Sequence, residues 1–264
     1  MLKRILLVFC LMSAVAARAA TAFPAMLDAY YEEYLALFPI DAAINGDNDP
    51  RYEAVWPIEI GAEHRSKVAA MATKYLAELA KFDRAKLSAT DQLSYDSLKW
   101  LLERRLEGTK QIYALLPVNQ FSCPTLTFAQ MASGAHVHPF KSAQDYRNFL
   151  SRARGFSQWV DTAIANMREG MAKGIVQPRI LMERVLPQLV PLMADDPANN
   201  ILFTPLKSLP ANLNATEREA LTAEYTAGIR TVMLPAYARL HAFIRDEYLP
   251  KCRSTAGISA VPGG

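Results

Sequence analysis

The amino-acid sequence predicts an all-α fold. Four stretches, beginning at Ala62, Ala89, Ser142 and Asn214, place apolar residues three or four positions apart, which is the spacing of a one-faced helix. Three of these stretches begin with a capping pair, in which an oxygen-bearing residue is followed three positions later by an acid. No stretch alternates apolar and polar residues convincingly enough for a sheet. We therefore expect a multi-helix domain with at most incidental strand.

The first half of the chain is predicted to hold three helices. Residues 28–37 form a short segment rich in Tyr and Leu that ends at Phe38-Pro39, and residues 62–82 carry a one-faced apolar stripe. Ser88, with Asp91 three positions later, then opens a helix. We expect that helix to end near Leu116, because Pro117 disfavours α geometry at the residue before it.

The second half is predicted to hold three more helices. Ser142 with Asp145 opens a long helix that Gly170 and Gly174 close. The next helix starts at Pro178 and is expected to kink at two internal prolines. Residues 195–212 have the composition of a loop. The last helix opens at Asn214, with Glu217 as its capping partner, and runs to about residue 248 with a bend at Pro235.

The N-terminus has the pattern of an export signal. Two basic residues, Lys3 and Arg4, precede an almost entirely apolar run from residue 5 to residue 15, and Ala17-Arg18-Ala19 supplies a small-x-small cleavage site. The run is shorter than the ~20 residues that span a bilayer, and a buried N-terminal helix is the alternative. We predict a signal peptide at residues 1–19, cleavage after Ala19, and a helical domain at residues 20–264. The mature protein is then periplasmic or extracellular, with no membrane segment.

Removal of the signal changes the charge balance. The whole chain has 29 Lys and Arg against 26 Asp and Glu, and Lys3, Arg4 and Arg18 lie in the signal, which leaves 26 of each and a formal net charge of zero. Nucleic-acid binding is not expected, since no basic run offers phosphate contacts. Two cysteines remain, Cys123 and Cys252. An oxidising compartment permits a disulfide between them, and two free buried thiols are the alternative.

The residues alone offer little catalytic chemistry. The sequence has no Gly-x-Ser-x-Gly nucleophile elbow and no phosphate-binding glycine loop, and we assign no catalytic residue. His136 and His138 are the only closely spaced histidines, and in an extended segment both imidazoles point to the same side. They could be a weak metal site, but two ligands fall short of the usual three, so a polar loop with two incidental histidines is the favoured interpretation.

An ordered series of short fragments carries a family resemblance. They are Tyr30-Tyr31-Glu32-Glu33-Tyr34-Leu35, Ala42-Ala43-Ile44-Asn45-Gly46-Asp47, Asp91-Gln92-Leu93-Ser94-Tyr95-Asp96, Leu116-Pro117-Val118-Asn119-Gln120, Met167-Arg168-Glu169-Gly170-Met171-Ala172-Lys173-Gly174, Glu247-Tyr248-Leu249-Pro250 and Pro262-Gly263-Gly264. In this order and spacing they resemble the bacterial domain-of-unknown-function 885 family over nearly all of the mature chain.

The resemblance implies a fold and a chemistry. Members of that family resemble zinc metallopeptidases of the gluzincin kind, are about twice this length, and are all-helical around a deep cleft. Their proposed metal motif, a His-Glu pair followed by Pro-Gly-His-His, lies beyond the Pro-Gly-Gly fragment. No histidine of this chain is followed by Glu, so none of the family's proposed zinc ligands can be placed on it.

The resulting hypothesis is that the chain is the N-terminal half of such a hydrolase. It would form one wall of the cleft, hold a peptide substrate, and be inactive by itself, with zinc implied only for the full-length architecture. Asn119, Gln120 and His136 are the candidate substrate-binding residues, although an amide at positions 119 and 120 more often caps its own loop. Expected partners are the C-terminal half or a second copy of the chain. The alternative is a non-enzymatic exported module that binds a peptide or a partner protein.

Overall fold

A computed structural model describes residues 22–46, 49–134, 137–262 and 264 of the chain. The protein is 72% helical, and the described residues contain no β-strand, only an isolated bridge between Pro178 and Arg253. The all-α prediction is therefore confirmed. The predicted signal peptide at residues 1–19 lies outside the described residues and stays a prediction. Within the described part of the chain, no helix combines the length and the apolar composition needed to cross a membrane.

Ten α-helices follow one another along the described chain. They are α1 at residues 22–37, α2 Pro39–Ile44, α3 Pro50–Glu53, α4 Ala62–Leu79, α5 Ala89–Gly108, α6 Pro124–Ala132, α7 Ala143–Ala172, α8 Arg179–Met193, α9 Ala215–Gly228 and α10 Leu234–Phe243. The short helices α2, α3 and α6 are absent from the sequence prediction, although each has proline in its first turn, where the missing N–H costs nothing.

The described chain divides into two compact units. The first comprises residues 22–37 together with Arg65–Lys110, and the second comprises Phe38–His64 together with the described residues from Gln111 onward.

The core of the first unit is aromatic at both ends. The Phe23 ring lies 5.2 Å from that of Phe82, and the Tyr30 ring lies 5.3 Å from that of Tyr75, both edge-on. The predicted cap of α5 is present, since the Ser88 side chain accepts the Asp91 N–H. The expectation that α5 reaches Leu116 is wrong. The helix ends at Gly108, a residue of low helix propensity, and a separate 3₁₀ turn spans Ile112–Leu115.

The core of the second unit surrounds α7, a helix of 30 residues. Its predicted capping box is present, with reciprocal hydrogen bonds between Ser142 and Asp145. Its buried face packs on α9 and α10 through stacked and tilted rings. The Phe156 ring lies 4.3 Å from that of Phe128 and 5.1 Å from that of Tyr237. Helix α7 is therefore the central helix of this unit, and the surrounding helices and loops pack against it.

The last long helix is interrupted, as the proline in it predicts. The Asn214–Glu217 capping box opens α9, and a π turn at Ile229–Met233 separates it from α10. Pro235 has no N–H to donate to the carbonyl of residue 231, so the widened turn falls one turn before the proline. A second π turn follows at Ile244–Tyr248. Helix α8, by contrast, continues through both Pro187 and Pro191.

Two further expectations were partly met. The predicted loop at residues 195–212 contains a 3₁₀ helix, Ile201–Lys207, whose first N–H groups are capped by the Asn200 side chain. Cys123 and Cys252 are both free thiols, Cys123 buried and Cys252 half-buried, so the permitted disulfide is not formed. Burial raises the pKa of Cys252 to about 11, which keeps that thiol protonated.

Candidate functional site

The predicted substrate-binding residues Asn119 and Gln120 lie on a tight turn of the second unit, between the Ile112–Leu115 turn and α6. The Asn119 Oδ1 atom accepts the backbone N–H groups of Phe121 and Ser122, each at 2.9 Å, and its Nδ2 donates to the Ser122 carbonyl at 2.7 Å. Both ends of the Asn119 amide are thus used within the loop. This residue shapes the turn, which is the alternative that the sequence left open.

Two glutamines outside the turn, Gln177 and Gln188, also hold its backbone by hydrogen bonds. Gln177, a buried residue just before α8, donates from Nε2 to the carbonyls of Leu116 and Val118 at 3.2 and 2.9 Å. Gln188 of α8 donates to the Gln120 carbonyl at 3.2 Å. Because Gln177 and Gln188 hold the loop at its two ends, the backbone of residues 116–122 is fixed before any ligand arrives.

The fixed turn presents two groups with unused binding capacity. Phe121 is 81% exposed, the largest exposure among the large apolar side chains of the described residues. The side-chain oxygen of Gln120, Oε1, is buried and accepts no hydrogen bond. A buried acceptor without a donor costs roughly 1–3 kcal/mol, and a ligand N–H would recover that cost only if the Gln120 side chain turned Oε1 towards the surface. In the sequence Phe121 has the character of a core residue, so the prediction missed it.

The solvent side of α8, the helix that holds the turn through Gln188, also carries exposed apolar residues. Ile180 and Val190 are about half exposed, and Pro187 and Pro191 are exposed on the same side of the helix. Pro187 has no N–H, so the Glu183 carbonyl lacks the donor that an α-helix ordinarily supplies from four residues ahead. We name Phe121, Gln120 and these α8 residues the loop–α8 surface. It combines these apolar side chains with the charged side chains of Glu183 and Arg184, which are exposed on the same side of α8.

Of the two histidines of the predicted pair, only His138 belongs to the described residues, and it is buried. His136 lies outside the described residues, so its predicted substrate-binding role and its part in a metal site stay predictions. His138 is 1% exposed, and both of its ring nitrogens are engaged. Its Nε2 donates to the Asp145 carbonyl at 2.9 Å, and its Nδ1 accepts from Arg152 at 2.9 Å. His138 therefore has no ring nitrogen left for a metal ion in this structure.

The environment of His138 favours its neutral form. Burial and then the charge of Arg152 lower the His138 pKa from 6.5 to about 4. Burial also lowers the Arg152 pKa to about 10. Arg152 is 1% exposed and donates to the Tyr52 carbonyl at 3.1 Å. Arg152 of α7 thus joins the neutral imidazole of His138, in the loop before α7, to the Tyr52 carbonyl of α3, which is a structural role.

The described residues do not fit a zinc site. No group of three or more His, Cys, Asp or Glu side chains within the described ranges is placed to hold a metal ion. A catalytic zinc ordinarily takes three protein ligands and keeps one open position for water. We therefore derive no chemical step through zinc from these residues.

Comparison with known proteins gives a family and a fold. The profile of the family described as bacterial protein of unknown function (DUF885) matches residues 39–264. No curated protein matches the chain. The structure is similar to the crystal structure of a candidate lipoprotein from Colwellia psychrerythraea, with a TM-score of 0.71 and 13% sequence identity. The match covers 92% of this chain and 44% of that one, so the chain spans less than half the length of that relative.

Proposed function

Since the chain belongs to the DUF885 family of bacterial proteins of unknown function, we propose that it is an exported helical scaffold that holds a polypeptide substrate for a zinc-metallopeptidase-like hydrolase. In this proposal the chain catalyses nothing by itself, and zinc belongs to the longer family architecture. The observation that carries it is the loop–α8 surface, in which a rigid turn presents an exposed phenylalanine beside an unpaired buried acceptor. The export pattern at residues 1–19 and the candidate lipoprotein of the same fold support an exported location.

The chemistry of the loop–α8 surface suits a polypeptide. An exposed aromatic ring on a backbone already fixed by Asn119, Gln177 and Gln188 can bind an apolar side chain with little further loss of conformational entropy. The acceptor of the neighbouring residue, Gln120 Oε1, has no donor, and every peptide backbone supplies N–H donors. The surface therefore favours an extended segment with an apolar anchor residue.

A binding experiment tests this assignment. Residues 20–264 would be titrated with a mixed library of short peptides, and the tightest binders measured by fluorescence polarisation. We expect Phe121→Ala to weaken binding about thirtyfold, the effect of removing an anchor worth ~2 kcal/mol. Tyr113→Ala is the matched control, because Tyr113 is 67% exposed in the same unit but lies on the neighbouring 3₁₀ turn. Equal losses in the two variants would refute the site.

A second measurement tests the absence of catalysis. The same protein would be dialysed, analysed for bound metal, and assayed for peptide cleavage with and without added zinc. We expect neither stoichiometric zinc nor cleavage, because the described residues offer no three-ligand set. Stoichiometric zinc together with chelator-sensitive cleavage would overturn the scaffold assignment, and His136 and His138 would be the first residues to substitute.

The alternative function is a non-enzymatic exported module that binds a folded partner protein. The same apolar surface on α8 favours it, since an exposed helix face can pack against a partner helix. The two functions predict different ligands in a binding assay. Short extended peptides that bind in a Phe121-dependent manner support the substrate-holding scaffold, whereas binding only to folded proteins supports the module.

A further inference from the structure

The two exposed arginines of α8, Arg179 and Arg184, point to different sides of the helix. They are five positions apart, so their side chains are separated by about 140° around the helix axis. Arg179 shares its side with Glu183, four positions later, and this side faces Cys252. Burial raises the pKa of the Cys252 thiol, the neighbouring charge of Arg179 lowers it, and that of Glu183 raises it. Arg184 is turned away from this group of charges.

Arg184 lies on the side of α8 that holds the turn of residues 116–122. Gln188 is four positions after Arg184, about one helical turn further along the same side. It donates to the Gln120 carbonyl at 3.2 Å, and Phe121 is the next residue of the turn. The guanidinium of Arg184 is therefore the charged group of α8 that lies closest to the exposed Phe121 ring.

The positive charge of Arg184 is not neutralised by the chain. Four residues lie one turn away from it along α8, and none carries a carboxylate: Ile180, Leu181, Pro187 and Gln188. Residues 117–122 of the turn contain no charged side chain either. Among the described residues, the Arg184 side chain has no ion-pair partner and no hydrogen-bond acceptor. The loop–α8 surface thus offers a ligand one guanidinium whose donors are all free.

We propose that Arg184 binds a carboxylate of the polypeptide whose apolar side chain packs on Phe121. This inference rests on the proposed function and narrows its substrate class to segments that carry an apolar anchor and a carboxylate close together. A guanidinium suits this role, because its planar fork of N–H donors matches the two oxygens of a carboxylate. The carboxylate belongs to an aspartate or glutamate side chain or to the C-terminus of the polypeptide. The two sources share this chemistry and differ in the experiment below.

The helix geometry sets the spacing between the two groups of the substrate. One turn of α8, ~5.4 Å, separates Arg184 from Gln188, and the long arginine side chain adds to its reach. An extended peptide advances ~3.3 Å per residue, so the carboxylate belongs about two to three residues from the apolar anchor. Arg184 is exposed, and exposed ion pairs are weak, so we expect the carboxylate to strengthen binding about three- to fivefold at low salt.

Calorimetric titration of residues 20–264 with four matched peptides measures this preference. Each peptide has one leucine in a chain of alanine, serine and glutamine with an acetylated N-terminus. The first is amidated and neutral, the second and third are amidated with glutamate three positions before or after the leucine, and the fourth ends in a free carboxylate at that distance. At about 20 mM salt we expect a carboxylate peptide to bind about three- to fivefold more tightly than the neutral one, and at about 500 mM salt we expect the gain to vanish. The peptide that gains identifies the source of the carboxylate.

Substitutions on α8 assign the preference to one side chain. Arg184→Gln should abolish it, and Arg184→Lys should keep part of it, because lysine keeps the charge and loses the planar fork. Arg184→Glu should reverse it in favour of a peptide with lysine in place of glutamate. Arg179→Gln is the matched control, an exposed arginine on the other side of the same helix, and should leave the preference unchanged.

The outcomes separate this inference from the proposed function. Equal binding of all four peptides, still weakened by Phe121→Ala, would overturn the role of Arg184 and leave the polypeptide-binding surface in place. A carboxylate preference that survives Arg184→Gln, or that Arg179→Gln removes, would also overturn that role. Binding that does not depend on Phe121 would overturn the proposed function, and this inference with it.

Discussion

Lowering the pH should destabilise the second unit through one histidine, His138. Its pKa in the folded protein is about 4, below the value of 6.5 for an unperturbed histidine. The cause is burial, followed by the guanidinium of Arg152 2.9 Å away. Protonation of Nδ1 would turn the hydrogen bond from Arg152 into a contact between two cations, in a site that water does not reach.

The sign and the size follow from linkage. The folded-state pKa is depressed, so between pH 6.5 and pH 4 the unfolded chain binds more protons than the folded one, and stability falls as the pH falls through this window. At pH 5 roughly 97% of the unfolded histidines carry the proton, against roughly 10% of the folded ones. The free energy of unfolding should therefore drop by about 2 kcal/mol between pH 7 and pH 5, and the slope from His138 should halve near pH 4 and fade by about pH 3.

Urea unfolding across this pH range is the assay. A Trp100→Phe background restricts the fluorescence signal to Trp56 and Trp159, which lie in the same unit as His138. His138→Gln should have a lower free energy of unfolding at pH 7 and should lose most of the slope between pH 4 and pH 6.5. His241→Gln is the matched control and should keep the slope. A His138→Gln variant with the wild-type slope would refute the assignment of the pH dependence to this residue.

Three further predictions rest on other features. In thermal unfolding, Gly228→Ala should destabilise the second unit by about 1–3 kcal/mol, because the new Cβ would lie 2.3 Å from the Leu150 Cδ2 atom. Gly108→Ala is the control: its new Cβ would have no atom within 4 Å, so this change should be neutral or stabilising by up to ~1 kcal/mol. Asn119→Ala should cost about 1–2 kcal/mol in urea unfolding and weaken peptide binding with Phe121 still present, whereas Ser122→Ala, whose backbone makes the bonds, should change neither. Mass spectrometry of the exported protein should find Ala20 as its first residue, followed by Thr21. A protein that retains Met1 or Lys3 would exclude cleavage after Ala19.

Features decided by neighbouring residues were predicted well. The capping residues Ser88, Ser142 and Asn214 and the break near Pro235 depend on a few positions of the same helix, and the structure contains all four. The short proline-led helices were missed because they have too few residues to display an apolar period.

The candidate site was predicted less well because distant contacts decide it. The sequence indicated a loop at Asn119, but the turn that carries Phe121 is anchored by Gln188, which binds the carbonyl of Gln120, 68 positions before it. His138 has the sequence environment of a polar loop. It is buried because Arg152 joins it to the Tyr52 carbonyl, 100 positions from Arg152. No local pattern carries either of these pairings.

The two π turns set the rotational phase of the last helix. Leu221 and Tyr248 are both buried and lie 27 positions apart, and an unbroken α-helix would place them about 7.5 turns apart, on opposite sides. Each π turn accommodates one extra residue without advancing the helix, so Leu221 and Tyr248 are effectively about 6.9 turns apart. Both side chains therefore point to the same side of the helix, towards the core. A gene that lost the codon of a solvent-facing residue there, such as Arg230, would convert the first widened turn to regular α-helix. The hydrogen bonds from Tyr237 to Thr125 and from Gln177 to Tyr248 would remain in place, so this helix can absorb the loss of one residue at either π turn.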